Sequence, residues 1–313
     1  MVVFFEGSEK KVEVVVNSEV NLLSFEKSFW EELVLNSTAQ ILSSIENSKT
    51  KAFLLSESSL FVWEDRFVLI TCGQTTLVKA IEFFLSKIPS NNIASLIFQR
   101  KNEYFSHLQK SSFLDDVKAL SEQIEGTAYR FGKMHEHHNF MYCSNKEYTP
   151  SVEDKTIELL MYEISPEAST FLNKSYDDPK IIRDFLQLEK LFPDYIIDDY
   201  AFSPQGYSVN AIKDDLYFTI HITPEEFNSY ISFETNEINS SEKLHGLMEI
   251  LKPETFDVVS FNYKEGLSIP DHFHKRTKVT STINLGYDVI FSHFYSKETV
   301  NDSPYILNFK ENK

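Results

Sequence analysis

The sequence predicts an α+β protein built on a duplicated hairpin-helix plan, in which each half lays helices on one face of an antiparallel sheet. Two observations predict the sheets and their duplication. The 313 residues include 27 Phe and 15 Tyr against only 8 Gly, and flat side chains pack better on a pleated, half-buried surface than in a helical bundle. One order of hairpin then helix also recurs in two distant stretches, as expected when each half lays its helices on one face of an antiparallel sheet.

In the first stretch, Phe53–Ser56 and Ser59–Trp63 read as extended chain, Glu64 and Asp65 form a turn, and Arg66–Cys72 returns as a strand. Gly73 ends it. Leu77, Val78, Ile81, Phe84, Leu85 and Ile88 then fall on one helical face, stopped by Pro89. In the second stretch, Gly206–Ile212 and Leu216–Ile222 flank an Asp214-Asp215 turn. Ser229–Glu234 follows as a strand, then a helix with Leu244, Leu247, Met248 and Leu251 on one face. The chain from Ser151 to Leu191 is expected to be helix-rich, from the spacing of Ile157, Leu160 and Met161 and of Ile181, Ile182, Phe185 and Leu188. The tail, Lys310–Lys313, is expected to fray.

Lys and Arg number 30 against 47 Asp and Glu, a net charge of −17, which argues against nucleic acid or an anionic membrane as partner. No signal peptide or membrane-spanning run is read from the sequence, so a cytoplasmic location is expected. Cys72 and Cys143 make no disulfide framework. His135, His137, His138 and Cys143 look like metal ligands but lack a second ligand pair at a defined spacing, so a solvated strand or loop is expected there and no metal. His272 and His274 alternate on an expected strand and are read the same way.

Hairpin geometry brings distant residues together. In a two-residue hairpin, cross-strand partners have numbers with a constant sum, which sets Ser208 opposite His221 with Cβ atoms about 4.5–5.5 Å apart. The first hairpin sets Ser58 opposite Thr71, or opposite Cys72 if its loop is one residue longer. A serine facing a histidine suits proton transfer.

These residues lie in segments that resemble the eukaryotic S-adenosylmethionine decarboxylases. Leu55-Ser56-Glu57-Ser58-Ser59 is similar to that family's self-cleavage segment. Phe4-Phe5-Glu6-Gly7-Ser8-Glu9-Lys10 resembles its N-terminal active-site strand, and Thr71-Cys72-Gly73 its proton-donor segment. Gly206-Tyr207-Ser208, His221-Ile222-Thr223-Pro224-Glu225 and Ser232-Phe233-Glu234-Thr235-Asn236 resemble further family runs. The resemblance implies a four-layer α/β-β/α sandwich, with two antiparallel sheets packed face to face and helices outside. It implies one domain over 1–313 that cuts itself between Glu57 and Ser58, giving a small chain 1–57 and a large chain 58–313. It implies a pyruvoyl group made from Ser58, with Ser208 and His221 assisting processing. That group would take up the substrate's α-amine as a Schiff base and draw electrons from the breaking carboxyl bond. Cys72 would be the proton donor, and Glu9, with Glu6 beside it, a catalytic carboxylate.

For S-adenosylmethionine itself, the resemblance implies that Phe5 and Phe202 stack on adenine, Glu225 holds the ribose, and Leu55 and Glu57 line the pocket through their backbone. The decarboxylated product would serve polyamine synthesis. Animal members bind the diamine putrescine at buried acids; the matching set is Glu13, Asp154, Thr156, Glu158 and Glu234, with Lys10 beside it. Two departures leave putrescine dependence open: Ile70 replaces a relay lysine, and Lys11 stands where plant members, which need no putrescine, carry arginine. The alternative is a regulatory homologue that activates a partner decarboxylase; the retained Glu57, Ser58, Cys72, Ser208 and His221 argue against it. Monomer and homodimer both stay open.

Overall fold

A computed structural model describes residues 7, 9–203, 205–224, 229–237, 240–263 and 267–297. Phe5, Glu6, Glu225 and the tail at Lys310–Lys313 lie outside them. In the first half the strands are β1 (Lys10–Val16), β2 (Ile41–Glu46), β3 (Lys51–Leu55), β4 (Ser58–Val62), β5 (Arg66–Thr71), β6 (Ile93–Arg100), β7 (Gly126–Gly132) and β8 (His138–Ser144). Its helices are α1 (Lys27–Asn36), α2 (Leu77–Lys87) and α3 (Phe113–Ser121).

The second half repeats the plan with β9 (Thr156–Tyr162), β10 (Ile196–Ala201), β11 (Tyr207–Lys213), β12 (Leu216–Thr223), β13 (Tyr230–Thr235), β14 (Thr255–Phe261), β15 (Phe273–Thr282) and β16 (Asp288–Ser296). Its helices are α4 (Pro166–Leu172), α5 (Lys180–Phe185), α6 (Leu188–Leu191) and α7 (Ser241–Leu251). The strand orders are β2-β3-β4-β5-β1-β6-β8-β7 and β10-β11-β12-β13-β9-β14-β16-β15, so each strand of the second sheet has its counterpart eight strands earlier. All the pairings are antiparallel. The duplicated hairpin-helix plan is borne out.

Strand alternation sorts the side chains into four layers. Val12, Val14, Leu60, Val62 and Leu69 pack beneath Trp30, Leu33, Ile81 and Phe84 of the first-half helices. Leu159, Met161, Ile220 and Phe233 pack beneath Leu172, Leu188, Leu244 and Leu247 of the second. The opposite faces of the two sheets meet, with Ile97, Met141, Cys143, Val259 and Phe291 in one cluster and Phe61, Val68, Ile70, Ile212 and Tyr217 in another. At about 25 cal/mol per Å² of apolar surface, each such side chain contributes roughly 1.5–3 kcal/mol.

One expectation needs correcting. Ile157, Leu160 and Met161 lie on strand β9, not a helix, and every residue of β9 is buried. Both of its faces are covered, one by helices and one by the other sheet, so its apolar run is continuous and shows no period of two. The short helices α4, α5 and α6 do fill the expected stretch after β9.

Candidate active site

The site lies between the sheets where β4 and β5 face β11 and β12. The two-residue hairpin rule holds: Ser208 pairs with His221 and Ser58 with Thr71. Ser56 and Glu57 form the two-residue turn between β3 and β4, across which Leu55 pairs with Ser58.

Ser58 has a φ of 138°, a region that costs a non-glycine residue of order 1–3 kcal/mol. The strain has a geometric result. In a regular strand, consecutive side chains point to opposite faces. Here the hydroxyls of both Ser58 and Ser59 reach His221 Nε2, at 2.9 and 3.2 Å. The distorted backbone turns Ser58 inward while Ser59 keeps its place on the inter-sheet face.

The surrounding hydrogen bonds fix the imidazole. His221 Nδ1 lies 2.9 Å from Ser208 Oγ, and Thr219 Oγ1 lies 2.9 Å from Nε2. Ser59 donates to Asn210 Oδ1, while Thr219 can donate to the Val209 carbonyl at 3.0 Å. With those protons committed, Nδ1–H donates to Ser208 and the Nε2 lone pair is left to accept from Ser58. Burial pulls the His221 pKa down to about 3, so the ring is neutral at ordinary pH.

The carbonyl next to Ser58 is held as well. Glu57 O accepts the Cys72 backbone N–H at 2.9 Å and the Cys72 thiol at 3.2 Å. Burial pushes the thiol pKa well above its usual range, and the carboxylates of Glu57 and Glu9 add to that, so Cys72 is protonated. Glu9 accepts from Ser232 Oγ at 2.5 Å across the sheets, and burial pushes its pKa up to about 7. Gly7, ahead of β1, lies close to the second sheet: a Cβ there would lie 2.9 Å from Tyr230 Cβ.

Of the other expected residues, Leu55 directs its side chain into the first-half core, leaving its backbone beside Ser58. Phe202 is half-buried, its ring 4.9 Å from that of Tyr200 in an edge contact. Phe5, Glu6 and Glu225 lie outside the described residues.

The acidic set is brought together, and it already contains cations. Lys11 Nζ lies 2.9 Å from Glu158 and 2.7 Å from Glu234. Lys101 also contacts Glu158, which receives Gln99 Nε2 at 3.0 Å. Arg66 pairs with Glu13 at 3.0 Å and Asp154 at 2.7 Å. Thr156 is buried beside them on β9. Lys10 stands apart, donating to the Gly73 carbonyl at 2.9 Å and to Gln109 at 2.7 Å. Ile70 belongs to the apolar wall with Phe61 and Tyr217, so no charge stands at that position.

Sequence reasoning missed Asn210, Ser59, Thr219, Lys101 and Arg66. The hairpin sum that pairs Ser208 with His221 also pairs Asn210 with Thr219, so that signal was available. It also misplaced part of the histidine group. His135 is exposed, but Cys143 is fully buried between the sheets and His137 packs against Tyr162 and His293.

Two face-to-face sheets around a buried carboxylate, thiol and imidazole define the class: an α+β sandwich with an acid–base site between its sheets. The family model described as adenosylmethionine decarboxylase matches residues 2–300. The chain is 31% identical over 314 aligned positions to the S-adenosylmethionine decarboxylase proenzyme of Leishmania donovani, covering 90% of this chain and 82% of that protein. It is 31% identical to the S-adenosylmethionine decarboxylase proenzyme of Drosophila melanogaster, covering 96% and 97%. Its fold is similar to the crystal structure of the Trypanosoma brucei AdoMetDC-delta26 monomer, with a TM-score of 0.60 at 25% identity, covering 76% of this chain and 99% of that one. The chain belongs to the adenosylmethionine decarboxylase family. Among the described residues, no helix is long and apolar enough to cross a membrane.

Proposed function

We propose that this chain is a proenzyme that cuts itself between Glu57 and Ser58, and that the processed protein decarboxylates S-adenosylmethionine. The observation that carries the reading is the positive φ of Ser58, which brings its hydroxyl 2.9 Å from His221 Nε2 while Cys72 holds the neighbouring carbonyl.

The Ser58 oxygen attacks the Glu57 carbonyl carbon as its proton passes to His221 Nε2; the C–N bond breaks, His221 returns that proton to the leaving nitrogen, and the amide becomes an ester with a free amine. The Cys72 N–H stabilises the charge that gathers on the carbonyl oxygen, and relief of the strained backbone offsets part of the cost of exchanging an amide for an ester. His221 Nε2, neutral and aimed at residue 58, then removes the α-proton. The ester breaks by β-elimination, Glu57 leaves as a carboxylate, and hydration of the dehydroalanine releases ammonia. Ser58, its hydroxyl beside a base and its backbone in a strained turn, fits the precursor of a pyruvoyl group.

That group supplies a carbonyl electron sink for loss of the substrate carboxyl. Cys72, kept protonated, delivers a proton to the substrate's α-carbon. Glu9, near pKa 7, can exchange protons at neutral pH and offers a negative partner to a cationic substrate. Lys11, Lys101 and Arg66 supply the positive charge that a diamine would bring to the acidic set, so the activity needs no putrescine.

Decarboxylation is tested by release of labelled carbon dioxide from carboxyl-labelled S-adenosylmethionine by the wild type and by Ser58→Ala. Release by the wild type alone supports the reading. Equal release by both, or none from either, overturns it.

A further inference from the structure

A second polar cluster lies outside this chemistry. On the inter-sheet face of the second sheet, register places Ser208, His221, Ser232, Leu160, Asp257 and His293 in one row across adjacent strands. The row begins at the proposed processing site. Three strands from His221, roughly 14 Å at ordinary strand spacing, it reaches Asp257. His137, at the end of the β7–β8 turn of the first sheet, reaches across to the same carboxylate.

Asp257 is 1% exposed. Its Oδ1 lies 2.8 Å from His293 Nδ1, and its Oδ2 lies 3.0 Å from His137 Nδ1 and 3.1 Å from the Tyr162 hydroxyl. The two imidazole rings sit with centroids 4.3 Å apart. One ligand atom from each of His137, Asp257 and His293 falls within 4.8 Å of the others. The three residues come from β14, β16 and the β7–β8 turn, so neither local spacing nor a helical repeat explains their meeting.

We propose that His137, Asp257 and His293 form a binding site for one divalent transition-metal ion of the zinc class, which staples the first sheet to the second. Two imidazole nitrogens and a carboxylate oxygen are a donor set that suits Zn²⁺; tetrahedral bonds of about 2.0–2.2 Å set neighbouring ligand atoms about 3.3–3.6 Å apart, so atoms that now lie within 4.8 Å of one another need only small shifts. Each neutral imidazole moves its proton from Nδ1 to Nε2 and gives the freed Nδ1 lone pair to the metal; a protonated ring releases a proton as well. Water completes the coordination, and the Tyr162 hydroxyl keeps its hydrogen bond to the carboxylate as an outer support.

Charge favours a single dication over protons. A buried carboxylate needs a counter-charge, yet two imidazoliums with rings this close repel each other. One metal ion satisfies the carboxylate and both rings together. Access is available because the His137 side chain is 16% exposed at the edge of the sandwich. Lys101 already feels the charge of Asp257, so a bound ion also alters the field on the network that reaches Glu9. The site stands on its own geometry and does not rest on the decarboxylase reading.

The test uses the full chain stripped with a chelator, then titrated with Zn²⁺ and separately with Co²⁺. Metal content, the visible Co²⁺ spectrum and the thermal midpoint are measured for wild type, His137→Ala, His293→Gln and a control carrying His135→Ala with His274→Ala. The expected result is one ion per chain, a Co²⁺ spectrum showing nitrogen ligation, and a rise in midpoint with Zn²⁺. The affinity falls at least about tenfold in His137→Ala and stays unchanged in the control. His137→Ala alters a half-buried residue at a turn, so it carries the test if His293→Gln fails to fold. Absence of stoichiometric binding by the wild type, or equal binding by His137→Ala, overturns the proposal.

Discussion

Replacing Lys11 by methionine keeps most of the side-chain volume and removes one charge from the buried acidic set. Lys11 is 2% exposed and bonds to Glu158 and Glu234. Without it, Glu158 keeps Lys101 and Gln99, whereas Glu234 keeps the Tyr217 hydroxyl. Breaking a buried pair and stranding one charge costs roughly 3–5 kcal/mol, and the cost should fall mainly on Glu234. Urea unfolding of wild type and Lys11→Met, with and without millimolar putrescine, reads it directly. The expected outcome is a wild type indifferent to the diamine and a variant that loses several kcal/mol. The variant regains part of that loss with putrescine, up to ~2.7 kcal/mol at one hundred times the dissociation constant. Decarboxylation should follow the same pattern. A wild type stimulated several-fold by putrescine, or a variant as stable as wild type, would refute the reasoning that the chain carries its own cations.

Three more outcomes are expected. His221→Ala should slow the acyl shift and stall processing after it, leaving an ester that hydroxylamine cleaves at residue 58; the same rate of spontaneous cleavage as wild type would argue against His221 as the base. Asn210→Ala should slow processing by about tenfold or more with little change in the folded state, because it frees the Ser59 proton to compete for Nε2; time courses on denaturing gels check this. Burial of His221 also carries a sign. The unfolded ring takes a proton near pH 6.5, while the folded ring resists until about 3. The unfolded state therefore binds more protons in that window, and stability present above pH 6.5 is lost as pH falls, by at most ~1.4 kcal/mol per unit. Comparing Ser58→Ala with Ser58→Ala/His221→Gln in urea at pH 7 and 5 isolates this contribution, because Glu9, shifted the opposite way, is common to both; identical slopes would remove it.

Much of this architecture was legible because hairpins are local. Asp214-Asp215 sets its register through turn length, so the facing of Ser208 with His221 followed from residue numbers; Glu64-Asp65 left Ser58 opposite Thr71 or Cys72, and the folded hairpin pairs it with Thr71. What was not legible depends on contacts between sheets. Strand β9 reads as a helix because burial on both faces erases its alternation. Lys101 and Arg66 show no sign in the sequence that they end among acids, since Glu158 and Asp154 lie some 57 and 88 residues further on and Glu13 lies 53 residues back. The inward rotation of Ser58 is a backbone distortion imposed by the assembled site, and residue type alone does not announce it. His137, Asp257 and His293 are separated by a hundred residues or more of folded chain on one side, and only the stacking of two sheets joins them.

The most direct test of the central claim is the intact mass of freshly purified wild-type chain under denaturing conditions, beside Ser58→Ala. Self-cleavage predicts two wild-type fragments dividing at Glu57, the larger blocked at its N-terminus by a keto group that borohydride reduces, and one uncut Ser58→Ala chain. A wild type that remains a single polypeptide, or a larger fragment that begins with an ordinary serine, would contradict it.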